Sequence, residues 1–559
     1  VEPLAAAPDP QALILHNLCP VPAFTSIVVL INIPATFRHD RPSASKLLPR
    51  QDATHKNHKL PLQVAAAMHK LRVPGTYLFN LALLLASKVL CAQAPADALG
   101  NTPLHEAAWQ GSLDSLALLL KQDADPDQAN RYGVTPLELA IQQQDPAKVQ
   151  ALLQAGANAN ATRHSGEALL MLAADTGVVE IVDALIDHGA AIDVRDPHYG
   201  QSALMFAARA GHADIVLLLL EHGADADAAT LIGATPAFVA PNSVPGFGFG
   251  VGILRGGVPA DRGRREPIPG GMTPLLYAAR HDHIDVARVL LDHGASINQA
   301  EANGIWPLLM AISNDNPATA QFLIDQGAAI NGQDWYGRSP LWEAVNVRNL
   351  YVHNATFVNG IDRAPYLPLI TALLENGAEV NARTRETPPF RHHLLEITGS
   401  LEWVDFTGQT PFLTAALAGD VTVMKLLLDH GADPHINTFE GTNALMAAAG
   451  VNWVVAQTWT ESPEQLLEAV KLCHSLGMDV NQTNSMGLTA LHGAANRGSN
   501  PIIEYLAANG ADLSHQDNEG RTALEWAQGV FLATHPAEPK PASIELLTRL
   551  LQQQGKEVR

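Results

Sequence analysis

Gly100-Asn101-Thr102-Pro103-Leu104-His105 returns 33 residues later as Gly133-Val134-Thr135-Pro136-Leu137. Glycines head similar segments at Gly166, Gly200, Gly233, Gly271, Gly304, Gly337, Gly408, Gly441, Gly487 and Gly520, and the first spacings are 33, 33, 34 and 33. A second marker follows many of them by 23 residues: Gly156-Ala157-Asn158, Gly189-Ala190, Gly223-Ala224-Asp225, Gly294-Ala295, Gly327-Ala328, Gly431-Ala432-Asp433 and Gly510-Ala511-Asp512. Between the markers run two apolar stripes at helical spacing. A fixed period of this length marks stacked supersecondary units, none of which has a core of its own.

The residue types suit that reading. Pro103 and Pro136 fit the first turn of a helix, where a missing N–H is no loss, and the threonine before each can cap the free backbone donors. Gly156 and Gly223 stand where the chain leaves a second helix with φ > 0. Leu118 to Leu120 and Leu217 to Leu220 are expected to bury against the neighbouring repeat. The residues resemble the ankyrin family, whose repeat is a β-turn finger followed by two antiparallel helices, and the resemblance covers about residues 97–555. The expected fold is an all-α ankyrin solenoid of about eleven helix-turn-helix repeats, similar to exported bacterial ankyrin-repeat proteins with long insertions.

Departures from the period locate five insertions. Gly233 begins a repeat that is abandoned after Pro236 and resumes at Gly271, which puts 38 extra residues on the finger edge; Gly377 to Gly408 adds 21 more there. Three excesses, of 17, 13 and 12 residues, fall between paired helices. The insertions span about 237–270, 346–365, 384–406, 450–463 and 529–541. The polar end Gln552-Gln553-Gln554-Gly555-Lys556 suits a capping repeat with a wet outer face.

Upstream of the array, residues 68–94 read as a secretory leader: Met68, then Lys70 and Arg72, an apolar core from Tyr77 to Leu90, and small residues in Cys91-Ala92-Gln93-Ala94. Cleavage fits after Ala92 or Ala94. Met68 is then the true start, residues 1–67 are disordered or not made, and the array is periplasmic or secreted; otherwise it is cytoplasmic. An internal buried helix is the alternative. The run from Phe24 to Ile33 is too short to span a membrane, and Lys88-Val89-Leu90 before Cys91 does not fit a lipobox. No membrane insertion of the mature chain is expected.

The chain of 559 residues carries a net charge of -21. Residues 1–94 hold nine of the 35 Lys/Arg and four of the 56 Asp/Glu, which leaves the remainder at -26. Such a surface repels phosphate backbones, so nucleic acid is excluded as an expected partner. Cys19, Cys91 and Cys473 are too scattered for a disulfide framework or a zinc site.

No nucleophile elbow, phosphate loop or metal-ligand spacing is present. Gly246-Phe247-Gly248-Phe249-Gly250-Val251-Gly252 lacks the following helix with Lys-Ser/Thr that a phosphate cradle needs. His188, His222, His293 and His430 share one place before the turn glycine, which is a structural repetition; His105 and His492 tie neighbouring loops together. His392 and His393, beside Arg391 and Glu396, have no third ligand. Cys473 replaces a core leucine. No catalytic residue, cofactor or metal is assigned.

The resemblance implies binding through a concave face made by finger tips and first helices. On the tips this gives Tyr132, Tyr199, Trp335, Tyr336, Phe406 and Phe439; on the first helices it gives Trp109, Phe206, Arg209, Tyr277, Arg280, Glu343 and Trp526. Aromatic and arginine side chains dominate binding hot spots. The expected function is a non-catalytic scaffold for a partner protein or peptide. Two alternatives stand beside it: a small-molecule or glycan binder under the finger-edge insertions, and an enzyme with catalytic residues in them, such as His392 and Glu396.

Overall fold

The computed structural model describes residues 96–233, 269–349, 362–386, 407–453, 461–530 and 537–555. The chain divides into residues 1–84 and 85–559, and every described residue belongs to the second unit. The leader-like stretch and the residues before it lie outside the described residues.

Twenty-two helices form eleven antiparallel pairs among the described residues. Repeat 1 pairs an inner helix α1 (Pro103–Trp109) with an outer helix α2 (Leu113–Leu120), repeat 2 α3 (Pro136–Gln142) with α4 (Pro146–Gln154), and repeat 3 α5 (Leu169–Thr176) with α6 (Val179–Asp187). Repeat 4 is α7 (Ala203–Ala210) and α8 (Ala213–Glu221), repeat 5 α9 (Pro274–Arg280) and α10 (Ile284–Asp292), and repeat 6 α11 (Pro307–Ser313) and α12 (Pro317–Asp325). Repeat 7 is α13 (Pro340–Arg348) and α14 (Tyr366–Glu375), repeat 8 α15 (Pro411–Ala418) and α16 (Val421–Asp429), and repeat 9 α17 (Ala444–Ala449) and α18 (Pro463–Ser475). Repeat 10 is α19 (Ala490–Arg497) and α20 (Asn500–Ala508), and repeat 11 α21 (Ala523–Gln528) and α22 (Pro541–Gln553).

Local chemistry starts and stops these helices. Thr135 and Thr410 accept from the backbone N–H groups of Glu138 and Leu413, each at 3.2 Å, which satisfies donors that have no intrahelical partner. Gly156 and Gly223 have φ of 94° and 86°. A Cβ there would meet nothing within 4 Å, so glycine is required by the sign of φ and not by space.

Inner helices stack on inner helices and outer on outer. Of the expected leucine runs only Leu119 and Leu219 are fully buried, beside Leu116 in α2 and Ile215 and Val216 in α8. Leu118, Leu120, Leu217, Leu218 and Leu220 are half-buried, because an outer helix turns one stripe to its partner and only its flanks to adjacent outer helices. One core cluster runs from Leu104 to Ala295 and a second from Leu276 to Leu551. They meet in α9, where Leu275 and Ala278 face the first and Leu276 and Ala279 the second.

The other insertions fall between paired helices, with residues 350–361, 454–460 and 531–536 outside the described residues. Two of their bases are tied by charge. Asp420, which caps α16, takes Arg348 Nε at 2.8 Å and Arg363 Nη2 at 3.1 Å, and Arg363 also pairs with Glu461. Asp420 is buried, so both cations compensate a desolvated carboxylate.

Candidate functional site

Each finger is a tight turn closed by its lead glycine. The N–H of Gly133 donates to the Asn130 carbonyl at 3.0 Å, that of Gly304 to Glu301 at 2.9 Å, and that of Gly487 to Asn484 at 3.0 Å, which leaves two residues at each tip. The side chain three places before the glycine holds the turn: Asn130 Oδ1 accepts from the N–H groups of Tyr132 (2.9 Å) and Val134 (3.0 Å). Several neighbouring fingers are then bonded to each other. The first tip residue donates its N–H to the carbonyl of the residue just before the preceding lead glycine: Arg131 to Leu99, Leu231 to Tyr199, Trp335 to Asn303, Phe439 to Thr407, Ser485 to Glu440 and Asn518 to Met486, at 2.8–3.0 Å. These bonds align the tip side chains in a row.

Two fingers carry their insertion at the tip itself. Gly271 donates to the Thr230 carbonyl at 3.1 Å and Gly408 to that of Thr384 at 2.9 Å. The threonine hydroxyls accept from Met272 N–H and Gln409 N–H, each at 2.9 Å. The finger of repeat 5 thus closes over the insertion as other fingers close over two residues. This corrects the reading of Gly233 as the head of an abandoned repeat: its N–H meets the Pro269 carbonyl at 2.7 Å, inside the base of the loop. Residues 234–268 and 387–406 lie outside the described residues, and with them the glycine-rich stretch 246–252, Arg391, His392, His393, Glu396 and Phe406.

Among the described residues, nine large apolar side chains are exposed, and seven stand on finger tips: Leu99, Tyr132, Tyr199, Leu231, Ile232, Trp335 and Phe439. Ile232 and Tyr132 are 67% and 63% exposed. At this position the sequence pattern was read for aromatic residues alone. It therefore missed Leu99, Leu231 and Ile232, which the same register would have found.

Four expected contact residues are buried and belong to the packing. Trp526 gives its indole N–H to Asp517 Oδ2 at 2.8 Å, under Arg521. Glu343 accepts from Ser313 Oγ at 3.0 Å and faces Arg338 at 3.6 Å. Tyr336 lies near the Arg338 guanidinium, and its carbonyl takes Arg385 N–H from the next finger at 2.8 Å. Phe206 lies under Arg209, 4.7 Å from ring centroid to guanidinium carbon.

The inner helices differ in exposure. In α1, Glu106 and Trp109 are exposed, and in α9 Tyr277 is half-buried and Arg280 exposed. In α11, α15 and α17 every residue is buried, and in α13 all but Asn346 and Arg348. The inner helices keep exposed residues in repeats 1, 2, 3 and 5, are half-buried only at Arg209 and Ala210 in repeat 4 and at Asn346 and Arg348 in repeat 7, and are buried throughout in repeats 6, 8 and 9.

The six recurring histidines are structural. His188, His222, His293 and His430 each place Nδ1 within 2.8–2.9 Å of the carbonyl four residues back. His105 Nδ1 accepts from Thr102 N–H at 3.1 Å while Nε2 donates to the Val134 carbonyl of the next repeat at 3.0 Å. His492 repeats this with Thr489 and Arg521, and burial pushes it down to about 4. Burial pushes the Cys473 thiol up to about 12, which leaves it a packing group. Among the described residues no three metal-ligating side chains converge, and no helix is long and apolar enough to cross a membrane.

Comparison with known proteins agrees with this architecture. The family model described as ankyrin repeats (three copies) matches residues 78–163, 137–230 and 461–530, and single ankyrin-repeat models match 270–301 and 407–436. A putative ankyrin repeat protein of Acanthamoeba polyphaga mimivirus is 44% identical over 62 residues, 11% of this chain and 8% of that protein. The B-cell lymphoma 3 protein homolog of Mus musculus is 35% identical over 100 residues, 18% of this chain and 22% of that protein. The RelA-associated inhibitor of Mus musculus is 39% identical over 89 residues, 16% of this chain and 11% of that protein. The match thus spans no more than 22% of any of these relatives. Among solved structures, the ankyrin repeat domain of human ASB11 matches with 22% identity and a TM-score of 0.35, covering 48% of this chain and 98% of that one. The ankyrin repeat domain of Bcl-3 matches with 25% identity and a TM-score of 0.34, covering 43% and 93%.

Proposed function

The chain is an ankyrin-repeat protein, and we propose that its array is a non-catalytic scaffold that holds a partner protein or peptide across the finger tips and the inner helices of repeats 1–5. The observation that carries this reading is the row of exposed apolar tips. Leu99, Tyr132, Tyr199, Leu231, Ile232, Trp335 and Phe439 all stand at finger tips, and several of these fingers are bonded to a neighbour. Packing within the array does not require large apolar groups there, and repeated exposure of such groups on one face marks an interaction surface. Trp109, Tyr277, Arg209 and Arg280 extend it onto the open inner helices, in what the family resemblance makes the concave face.

The test is capture from the native compartment with the intact chain and with a Tyr132→Ser, Tyr199→Ser, Trp335→Ser, Phe439→Ser variant. The reading expects the variant to lose the partner at least roughly tenfold, with its helical circular dichroism unchanged. Retention of every captured partner by the variant contradicts it. The same reading places the array in the periplasm or the medium, on the strength of the leader-like pattern from Met68 to Ala94. A mature chain beginning at Gln93 or Pro95 supports export, and one that retains residues 1–67 refutes it.

A further inference from the structure

Fingers 5 to 11 are each joined to the one before by a backbone bond, from Leu231 N–H on the Tyr199 carbonyl (2.8 Å) to Asn518 N–H on that of Met486 (3.0 Å), and Arg131 joins finger 2 to finger 1. Among the described residues, finger 3 (residues 163–166) is joined to neither neighbour. The matching pair on its near side, His164 N–H and the Tyr132 carbonyl, makes no bond, and on its far side finger 4 presents Pro197, which has no N–H. The junction with repeat 4 is closed by other means: a Cβ on Gly166 would lie 2.6 Å from Pro197 Cγ, and Arg209 pairs with Asp175 at 2.9 Å. The junction with repeat 2 is looser. A Cβ on Gly133 would meet only His164 Cβ, at 4.0 Å, whereas one on Gly100 would lie 3.1 Å from Arg131 N. Among the described residues, adjacent inner helices touch least at α3 and α5, and adjacent outer helices touch most at α4 and α6. The stack is thus splayed on its finger side and closed on its outer side. The loop leaving α4 is held to the loop leaving α6 by Asn160, which donates to the Gly189 carbonyl and accepts Ala191 N–H, each at 2.8 Å. On the finger side Arg163 meets Glu138 at 3.1 Å and Glu167 at 2.6 Å. Glu138 is buried and stands on α3 where His105 stands on α1, so here an ion pair replaces the histidine link to the next finger.

We propose that the junction of repeats 2 and 3 is a hinge, with α4 and α6 as its pivot and the Glu138–Arg163 pair as its latch, on which the finger tips of repeats 1 and 2 swing relative to those of later repeats. Opening it breaks no backbone bond between fingers, whereas opening any joined pair leaves an N–H and a carbonyl to be rehydrated. The latch is weak by construction, since the Arg163 side chain is 34% exposed, and a partly exposed ion pair contributes little and less as salt rises. Rigid bodies turning about a few residues are the usual form of such motions. Leu99 and Tyr132 stand on one side of the hinge, Tyr199 and Trp335 on the other. A ligand that grips both sides selects one setting of it. The hinge itself does not depend on the scaffold reading.

The experiment measures distance distributions between nitroxide pairs by pulsed electron paramagnetic resonance in the full chain, with Cys19→Ser and Cys91→Ser and the buried Cys473 left in place. One pair, Leu99→Cys with His164→Cys, spans the hinge; the other, Phe439→Cys with Glu519→Cys, spans two junctions that are both backbone-bonded. The proposal expects the first distribution to be at least roughly twice as wide as the second. It expects the first alone to widen or shift to longer distance between about 50 mM and about 500 mM NaCl, and again on Arg163→Met. Equal widths for the two pairs, or a first distribution that neither salt nor Arg163→Met changes, overturn it. The salt arm uses no substitution in the latch, so it decides the matter even where Arg163→Met loses helical circular dichroism. No partner enters the measurement, so its outcome is separate from that of the capture experiment.

Discussion

At the residue scale, a histidine works as a rivet between repeats. In His105 and His492 the ring nitrogen that accepts the cap residue's N–H is fixed by the one that donates to the next repeat, so the neutral ring is the form the site requires. Protonating His492 Nδ1 would set two donors against each other in a buried place. The sign of the pH dependence follows. The folded ring titrates at about 4, against an ordinary value of 6.5, so the unfolded chain takes up the proton first. The stabilisation is whole above pH 6.5 and is lost as pH falls from there toward 4, at most roughly 3 kcal/mol. Urea unfolding at about pH 7.5 and about pH 4.5 should show a steeper loss in the natural chain than in a His492→Gln variant. Equal slopes would refute the rivet. These histidines were legible because they recur at fixed places. The burial of Tyr336 and Glu343 was not, since Arg385 and Ser313 come from other repeats, nor was that of Trp526, whose partner Asp517 sits at the base of its own finger.

At the element scale, the finger is the unit that tolerates change. Its closing bond joins positions three apart in most repeats and four apart between Asp196 and Gly200, yet Thr230 and Gly271 make the same bond over a long insertion. The excess lengths were readable from the spacing of glycines. Gly233 misled because Gly233-Ala234-Thr235-Pro236 imitates a repeat head, and only the carbonyl that Gly271 finds decides between the two glycines. Deleting residues 232–269 leaves Thr230-Leu231-Gly270-Gly271, a finger with the normal two-residue tip. Removing a long loop lowers the closure cost, so the account expects full helical circular dichroism and a stability that is unchanged or raised. A fall of more than about 2 kcal/mol would mean that the segment does more than loop out from a closed turn.

At the scale of the whole molecule, the repeats are alike in backbone and unlike in what they present. Period and capping residues specify the stack, but accessibility depends on what lies across each inner helix, which no local pattern records. Repeats 1 and 5 therefore keep Trp109, Tyr277 and Arg280 accessible, while α11, α15 and α17 are buried on every side. The finger tips are accessible further along, at Trp335 and Phe439. The central claim is that these tips and the open inner helices form one partner-binding surface. Hydroxyl-radical footprinting of the intact chain, free and with its captured partner, tests it most directly. The account predicts protection of Trp109, Tyr132, Tyr199 and Trp335 in the complex. Protection confined to outer-helix residues such as Tyr505, with the tips oxidised as fast as in the free chain, would contradict it.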